Sequence, residues 1–464
     1  MISPIRLTIC FVFLLLSLGL KAQEDSLYYR LNDVAIEGNK VTHKSIIFRE
    51  LELKEDSLYQ LSEIQVLVDN SIRNLQRTRL FNFVEIEKTI ADGEFSLLIK
   101  VTERWYIWPL PVFELADPNF NIWWQSRDFN RVNVGLNVDH NNFRGRAEKL
   151  SLRFKWGYNK QLGLAYTKPF INREKTLGFS ISTRYQQRYE VTFATINNER
   201  ELFARIGRNI REEVQTKFDL IYRPGNRFSS YLTIWQNNTK VKDSVLVVAP
   251  DYFGGLQQLN YMGVGLFFNY ESRDLPSYPL KGFYGAISIA RPGIGLKEDY
   301  NFDIWSTEFS FNRYIPISDR FYTATRVKGG FMSYNQLPYF FQSGFGINGD
   351  VRGYELYFVE AQRYVSWQNH IKYALLKGRE FRMPFVKNPS FGRVPYGLFI
   401  SAHMDLAYSE DDVYKYRNPL DRKLLTGYGI GIDFVTYYDK VLRVEYSLNA
   451  FGNSGVYLHF QKAF

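Results

Sequence analysis

The chain has 464 residues, with 58 Lys and Arg against 48 Asp and Glu, a formal balance of +10. Its 33 Tyr, 38 Phe and 8 Trp make up 17 % of the residues beside 45 % hydrophobic ones, too many rings for a disordered or low-complexity protein. Mean hydropathy of −0.28 with 23 % charged residues excludes a helical membrane bundle, since no internal stretch offers the roughly 18 uninterrupted apolar residues of a spanning helix, and leaves a transmembrane β-barrel to test. At the start of the chain Arg6, an apolar run from Leu7 to Leu20 and the small Ala22 read as a secretory signal over 1–22. Cys10, the one cysteine, lies inside that run behind Leu7-Thr8-Ile9, which lacks the small residues of a lipoprotein cleavage site. The exported chain is therefore expected to carry neither disulfide nor lipid, and to reside in the periplasm or outer membrane of a Gram-negative cell.

Residues 23–104 hold 11 Lys and Arg against 15 Asp and Glu, whereas 105–464 hold 45 against 33, so an acidic front precedes a basic rear. In the front, Val34 and Ile36 alternate in a strand, Gly38-Asn39 turns, and Thr42 can cap a short helix carrying Ile46, Ile47 and Leu51. Leu61, Ile64, Val68, Ile72 and Leu75 at helical spacing predict a second helix. Phe81 to Lys88 and Phe95 to Val101 then predict two strands around a turn at Asp92-Gly93. The predicted order is βααββ, a small α+β domain over 23–104. Three of its segments, Val34-Ala35-Ile36-Glu37-Gly38-Asn39, Leu80-Phe81-Asn82-Phe83-Val84 and Ile99-Lys100-Val101-Thr102-Glu103, resemble a single polypeptide-transport-associated (POTRA) domain. Such a domain offers a sheet edge that holds incoming strands through backbone hydrogen bonds.

From Trp105 the helical period disappears and alternating segments of about ten residues recur. They begin near Trp108, Arg131, Glu148, Gln161, Lys175, Val214, Arg227, Tyr261, Gly282, Phe302, Arg320, Arg363, Val394, Leu424, Lys440 and Gly455. Sixteen is an even number, as a barrel with both ends in the periplasm requires, so 105–464 is expected to form a 16-stranded antiparallel transmembrane β-barrel. Tight turns at Arg223-Pro224-Gly225-Asn226 and Tyr438-Asp439-Lys440 fall on the periplasmic side, and the longer loops near 189–209, 240–258 and 409–423 fall outside. Parity separates two faces: Tyr428, Ile430, Ile432 and Phe434 point to lipid while Gly427, Gly429, Gly431 and Asp433 line the interior. In the next strand Leu442, Val444, Tyr446 and Leu448 face out and Arg443, Glu445 and Ser447 face in.

Three motifs narrow the barrel. Val351-Arg352-Gly353-Tyr354 sits in the long loop between strands eleven and twelve, after Gly344-Phe345-Gly346-Ile347-Asn348-Gly349-Asp350. An arginine tucked into a lumen keeps its charge and needs a carboxylate partner; Asp405 shares the inward parity of Ser401 and His403. Ser272-Arg273-Asp274 with Pro279, Gly282 and Phe283 marks the turn between strands eight and nine, and Asn142-Phe143-Arg144-Gly145 an early turn. At the C-terminus Val456, Leu458, Phe460 and Phe464 alternate on the lipid face as a recognition strand.

On these residues the chain resembles the superfamily of bacterial surface antigens, which includes the β-barrel assembly insertase and the translocation and assembly module barrel. Two departures stand out: there is room for one periplasmic domain, and where the family carries a second acid on strand twelve this chain has Gln368, Asn369 and His370. Asp405 alone, or Glu355 or Glu360, then remains to pair with Arg352. Pro109 and Pro111 place two residues without amide hydrogens at the start of strand one. They either weaken the seam with strand sixteen, as a lateral gate would need, or stiffen the link to the periplasmic domain.

Gly344, Gly346 and Gly349 match G-x-G-x-x-G with no helix behind them, so no dinucleotide is expected. His43, His140, His370, His403 and His459 are scattered and no G-x-S-x-G occurs, so neither a metal, a cofactor nor an enzyme activity is expected. Given the export signal, the basic rear reads as a basic lumen or contacts with anionic lipopolysaccharide, not with nucleic acid. The resemblance implies assembly, insertion or translocation of polypeptides in the outer membrane by strand pairing at the seam. Unfolded or secreted polypeptides would be the clients, with periplasmic or outer-membrane partner proteins docked on the POTRA domain and membrane lipids around the barrel. The alternatives are a structural or channel subunit of a larger complex, or an exporter of one dedicated secreted partner.

Overall fold

The computed structural model describes residues 28–117, 122–124, 127–204, 209–294, 303–334, 337–346, 350–382, 384, 393–436 and 440–460. The signal segment with Arg6 and Cys10, the Ile347-Asn348-Gly349 stretch, Tyr438-Asp439 and Phe464 lie outside the described residues. The chain divides into two compact units, Met1–Asn39 with Glu50–Thr102, and Lys40–Arg49 with Glu103–Phe464.

The first strand β1 (Tyr28–Glu37) is followed by helix α1 (Lys44–Glu50), β2 (Leu58–Gln60), α2 (Leu61–Arg77), β3 (Phe81–Ala91) and β4 (Glu94–Glu103). The sheet runs β2-β1-β4-β3, with β1 and β4 parallel and Val34 opposite Leu97. The order is thus βαβαββ and corrects the predicted βααββ: β2 has three residues, too few for alternation to register, and is held by Tyr28, Tyr29 and Arg30 of β1. Helix α2 buries Ile64, Val68, Ser71, Asn74 and Leu75, one face at helical spacing, in a core that also takes up Leu31, Val34, Phe95, Leu97 and Ile99. Asp92 and Gly93 both take positive φ, 49° and 78°, the two-residue hairpin that right-twisted strands favour. Thr42, expected as the cap of α1, is buried ahead of it. Its hydroxyl is hydrogen-bonded to Tyr106 Oη at 2.8 Å and accepts from Asn142 Nδ2 at 2.9 Å, inside the second unit.

The second unit holds a 16-stranded antiparallel sheet. Its first eight strands are β5 (Ile107–Leu115), β6 (Val132–Phe143), β7 (Glu148–Gly157), β8 (Lys160–Lys168), β9 (Leu177–Arg188), β12 (Arg211–Tyr222), β13 (Phe228–Val241) and β14 (Gln258–Glu271). The last eight are β15 (Gly282–Ile294), β16 (Trp305–Pro316), β17 (Phe321–Ser333), β20 (Arg363–Arg382), β21 (Arg393–Glu410), β22 (Leu425–Thr436), β23 (Lys440–Asn449) and β24 (Ser454–Phe460). Every start falls within three residues of its expected position, because the period-2 pattern runs through each strand. The outward row of β22 leaves Ile430 61 % exposed, and Val134, Phe154, Trp156 and Leu164 are likewise exposed. Rows of large apolar side chains around the whole sheet are the band that a bilayer covers. No described helix is long and apolar enough to cross a membrane.

Some connections are tight, as at Arg223–Asn226, and three on the opposite end of the sheet carry added structure. The connection from β9 to β12 forms the hairpin β10 (Glu190–Ile196) and β11 (Glu199–Ala204), that from β13 to β14 the helix α3 (Asp243–Val248), and that from β17 to β20 the short strands β18 (Gly344–Gly346) and β19 (Phe358–Glu360). These external segments share an apolar cluster of Val191, Val245, Tyr252, Phe253 and Leu337.

Candidate functional site in the barrel lumen

The β17–β20 connection folds inward and lays Val351-Arg352-Gly353-Tyr354 against β21, β22 and β23. Parity turns Asp405 of β21 inward, where Arg352 Nε donates to its Oδ2 at 2.7 Å and Nη2 to its Oδ1 at 2.5 Å. The Arg352 amide adds a third bond to the same carboxylate at 3.0 Å. The guanidinium is 3 % and the carboxylate 0 % exposed, so the bidentate geometry that makes such a pair strong operates in low dielectric. Arg352 Nη2 also donates to Asn369 O at 3.2 Å.

The second acid near Arg352 is Glu445 of β23, whose Oε1 lies 3.5 Å from Nη1. Neither Glu355 nor Glu360 takes that place: Glu355 Oε2 accepts from the Gly353 amide at 2.8 Å. Burial is the main force on both carboxyls, pushing Glu355 up to about 8 and Glu360 up to about 7.

Close approach explains the glycines. A Cβ on Gly427 would sit 1.8 Å from Arg352 O, and Gly353, at φ +88°, would put one 2.9 Å from Leu448 O. The loop backbone rests directly on the strand backbones, with Asn449 Nδ2 donating to Gly353 O at 3.0 Å. Val351 and Tyr354 are buried with Phe345, Val359, Leu420 and Leu425.

A second anchor rises from the other end of the sheet, at the turn between β14 and β15. Asp274 Oδ1 accepts from the amides of Leu275, Leu280 and Lys281 at 2.9, 3.0 and 3.2 Å, and Ser272 Oγ from Phe283 N at 3.1 Å. Gly282 at φ +115° passes so close to Ser272 that a Cβ would meet its carbonyl at 2.3 Å. Arg273 is tied to Glu271 and stacks 4.5 Å over Tyr284. The turn so fixed buries Pro279 and sends Tyr278 inward, where Oη donates to Asp433 Oδ2 at 2.7 Å. Asp433 also accepts from Arg443 Nε at 2.8 Å and has Lys372 Nζ at 3.5 Å.

The two anchors meet in one network. Arg443 Nη1 lies 3.8 Å from Glu445 Oε1, His459 Nε2 lies 3.2 Å from Glu445 Oε2, and His403 Nε2 is 3.0 Å from Ser447 Oγ. Arg352, Lys372 and Arg443 thus face Asp405, Asp433 and Glu445 inside a buried cluster. Arg352 and Asp405 were readable from motif and parity. Asp433, Arg443 and Glu445 were readable only as inward-facing, and Lys372 and Tyr278 carried no signal, because strand period does not report what a turn reaches across a lumen. Elsewhere, Val456 and Leu458 alternate outward on β24 between inward Tyr457 and His459, and Phe460 pairs with Leu442. Pro109 and Pro111 stand opposite Val138 and Leu136 in the β5–β6 ladder. Among the described residues no group of three or more His, Cys, Asp or Glu could hold a metal ion.

A barrel of sixteen strands with an arginine-bearing loop inserted in its lumen is the setting in which the family comparison decides. The Omp85 superfamily domain matches residues 142–436, and the POTRA model, described as a surface antigen variable number repeat, matches residues 29–104. The chain belongs to the Omp85 superfamily. It is accordingly an outer-membrane β-barrel protein with a periplasmic POTRA domain. Among solved structures it is similar to BamA from Haemophilus ducreyi lacking POTRA domains 1–3, at 15 % identity over 93 % of this chain and 83 % of that one, TM-score 0.50. It is also similar to CdiB from Escherichia coli, at 15 % identity over 93 % and 76 %, TM-score 0.54. CdiB from Acinetobacter baumannii gives 14 % identity over 94 % and 73 %, TM-score 0.52. At such identities these likenesses speak for the fold. No curated protein matches the chain.

Proposed function

We propose that this Omp85 protein inserts polypeptides into the outer membrane, or passes them across it, by strand pairing at the seam between β5 and β24, without nucleotide or cofactor. The observation that carries the reading is the filled lumen: a loop is clamped to the inner face of β21 by the buried Arg352–Asp405 pair, and a turn is clamped to β22 by the Tyr278 hydrogen bond to Asp433, itself paired with Lys372 and Arg443. A lumen occupied in this way argues against a passive open channel and moves the working surface to the wall. The clamps stiffen the strands that lead to β24, whereas on the other side of the seam Pro109 and Pro111, of one parity, remove two donors from one edge of β5. A client strand can pair with an edge so weakened and leave laterally into lipid, driven by the hydrogen bonds it gains and by local thinning of the bilayer. The POTRA sheet, with β2 and β3 at its edges, is the proposed dock for clients or periplasmic partners.

Depleting the protein in its host and quantifying outer-membrane and secreted proteins tests the reading. A general fall in barrel proteins identifies an insertase, and loss of one secreted protein an exporter. If neither pool changes, the reading fails in favour of a structural subunit.

A further inference from the structure

Away from the charge network, the external end of the barrel encloses a cavity of about 660 Å³ between the end of β5, the end of β9, the hairpin β10–β11, the start of β12 and the loop that leads to β20. Three guanidinium groups line it: Arg188, Arg200 and Arg211. Arg200 lies 4.1 Å over the ring of Phe358 and Arg211 4.9 Å over that of Phe340. Stacking fixes the plane of a guanidinium and leaves its N–H edge free to address an oxyanion bidentately.

The acids on the same wall are engaged elsewhere. Asp117 and Glu190 both pair with Arg131, at 3.0 and 2.7 Å, and Glu114 pairs with Lys155 at 3.2 Å. Arg211 is bonded to Glu213. Among the described residues neither Arg188 nor Arg200 has a carboxylate within ion-pair distance, and Arg188 is left with Gln186 Oε1 at 3.4 Å. The remaining acid of the lining, Glu199, is exposed at the hairpin tip. Burial pulls the pKa of Arg200 down and outweighs the opposing pull of Tyr339 and Glu360. A concave site with two such cations focuses positive potential.

The geometry points to a binding site for an acidic saccharide, a hexose-sized ring bearing a phosphate or carboxylate. The forked N–H groups suit either oxyanion. The volume lies within the range of small-molecule sites, roughly 300–1,000 Å³, well above what a bare inorganic ion fills. Tyr252 and Tyr339 on the wall supply aromatic surface for the C–H faces of a sugar. The cavity opens at the external end of the barrel, where such a group arrives either free or as the head of a membrane glycolipid.

The full chain in lauryldimethylamine oxide micelles is titrated calorimetrically with glucose 6-phosphate, glucose and inorganic phosphate. Saturable binding of glucose 6-phosphate is expected, at least tenfold tighter than glucose or inorganic phosphate. Arg200→Gln and Arg188→Gln, on different strands, should each weaken it tenfold or more, with Arg200→Lys between, while Arg320→Gln at an exposed turn leaves it unchanged. A second titration in nanodiscs with and without phosphorylated lipid A separates the sources: competition identifies a glycolipid head, and no competition a free saccharide. Absence of saturable heat overturns the assignment, as does equal affinity for glucose or for inorganic phosphate. Unchanged affinity in a glutamine variant that keeps the wild-type heat-modifiable gel band also overturns it.

Discussion

The two sides of the barrel wall are written in the same alternating pattern and treat their inward charges differently. On β6 and β7, Lys149 faces Asp139 at 3.5 Å with the lysine 47 % exposed. On β20–β23, Lys372, Asp405, Asp433, Arg443 and Glu445 are all buried. Strand geometry is common to both, so burial must come from what lies on the strands: the Val351–Tyr354 loop from one end and the Tyr278 turn from the other. Around Lys149 the inner face stays solvated, whereas Lys155 further along β7 is buried against Glu114. The inserted segments exclude that water, and they convert weak screened pairs into pairs whose loss leaves an uncompensated charge.

The largest break in this contrast is expected from Arg352→Ala, which leaves Asp405 buried without its guanidinium. A loss of about 3–5 kcal/mol should lower the temperature at which the heat-modifiable gel band shifts, and an unshifted band would contradict it. Tyr278→Phe removes one hydrogen bond to a charged acceptor and should lose about 1.5–3 kcal/mol in urea unfolding, without altering the loop contacts.

A pH effect comes next. Glu360 is held protonated by burial up to about 7, so the folded state binds more protons than the unfolded one between the unfolded carboxyl pKa and that value. The stabilisation from the proton is full below the unfolded pKa and is lost as pH rises through about 7. Glu360→Gln should therefore flatten the stability profile between pH 5 and 8 and raise stability at pH 8 by on the order of 2 kcal/mol; an unchanged slope would contradict it. Smallest of all, Lys149→Gln on the solvated side should change stability by about 1 kcal/mol or less, and less again at high salt. A change as large as that from Arg352→Ala would erase the contrast.

These differences also explain what could be read from residues alone. The strands were legible, since lipid outside and polar lumen inside impose period 2 on each of them. The short strand β2 was not, because three residues carry no period and it exists through its pairing with β1. Arg352 and Asp405 were legible because a buried guanidinium demands an acid and parity offered one. Glu445 was visible as an inward acid on β23 but not as a neighbour of Arg352, and Tyr278 was invisible, because both depend on how far a connection folds into the lumen. Gly427 could be placed on the inner face, yet its reason, a loop carbonyl where a Cβ would stand, lies in another part of the chain.

The most direct test of the clamped lumen is a double-mutant cycle on Arg352→Ala and Asp405→Ala, read as free energy of unfolding in detergent. If the two side chains act as one buried unit, the double variant will be about as stable as either single variant, so that the coupling equals the single loss of about 3–5 kcal/mol. Losses that simply add would contradict the account, since they would mean that the loop and β21 are stabilised independently of each other.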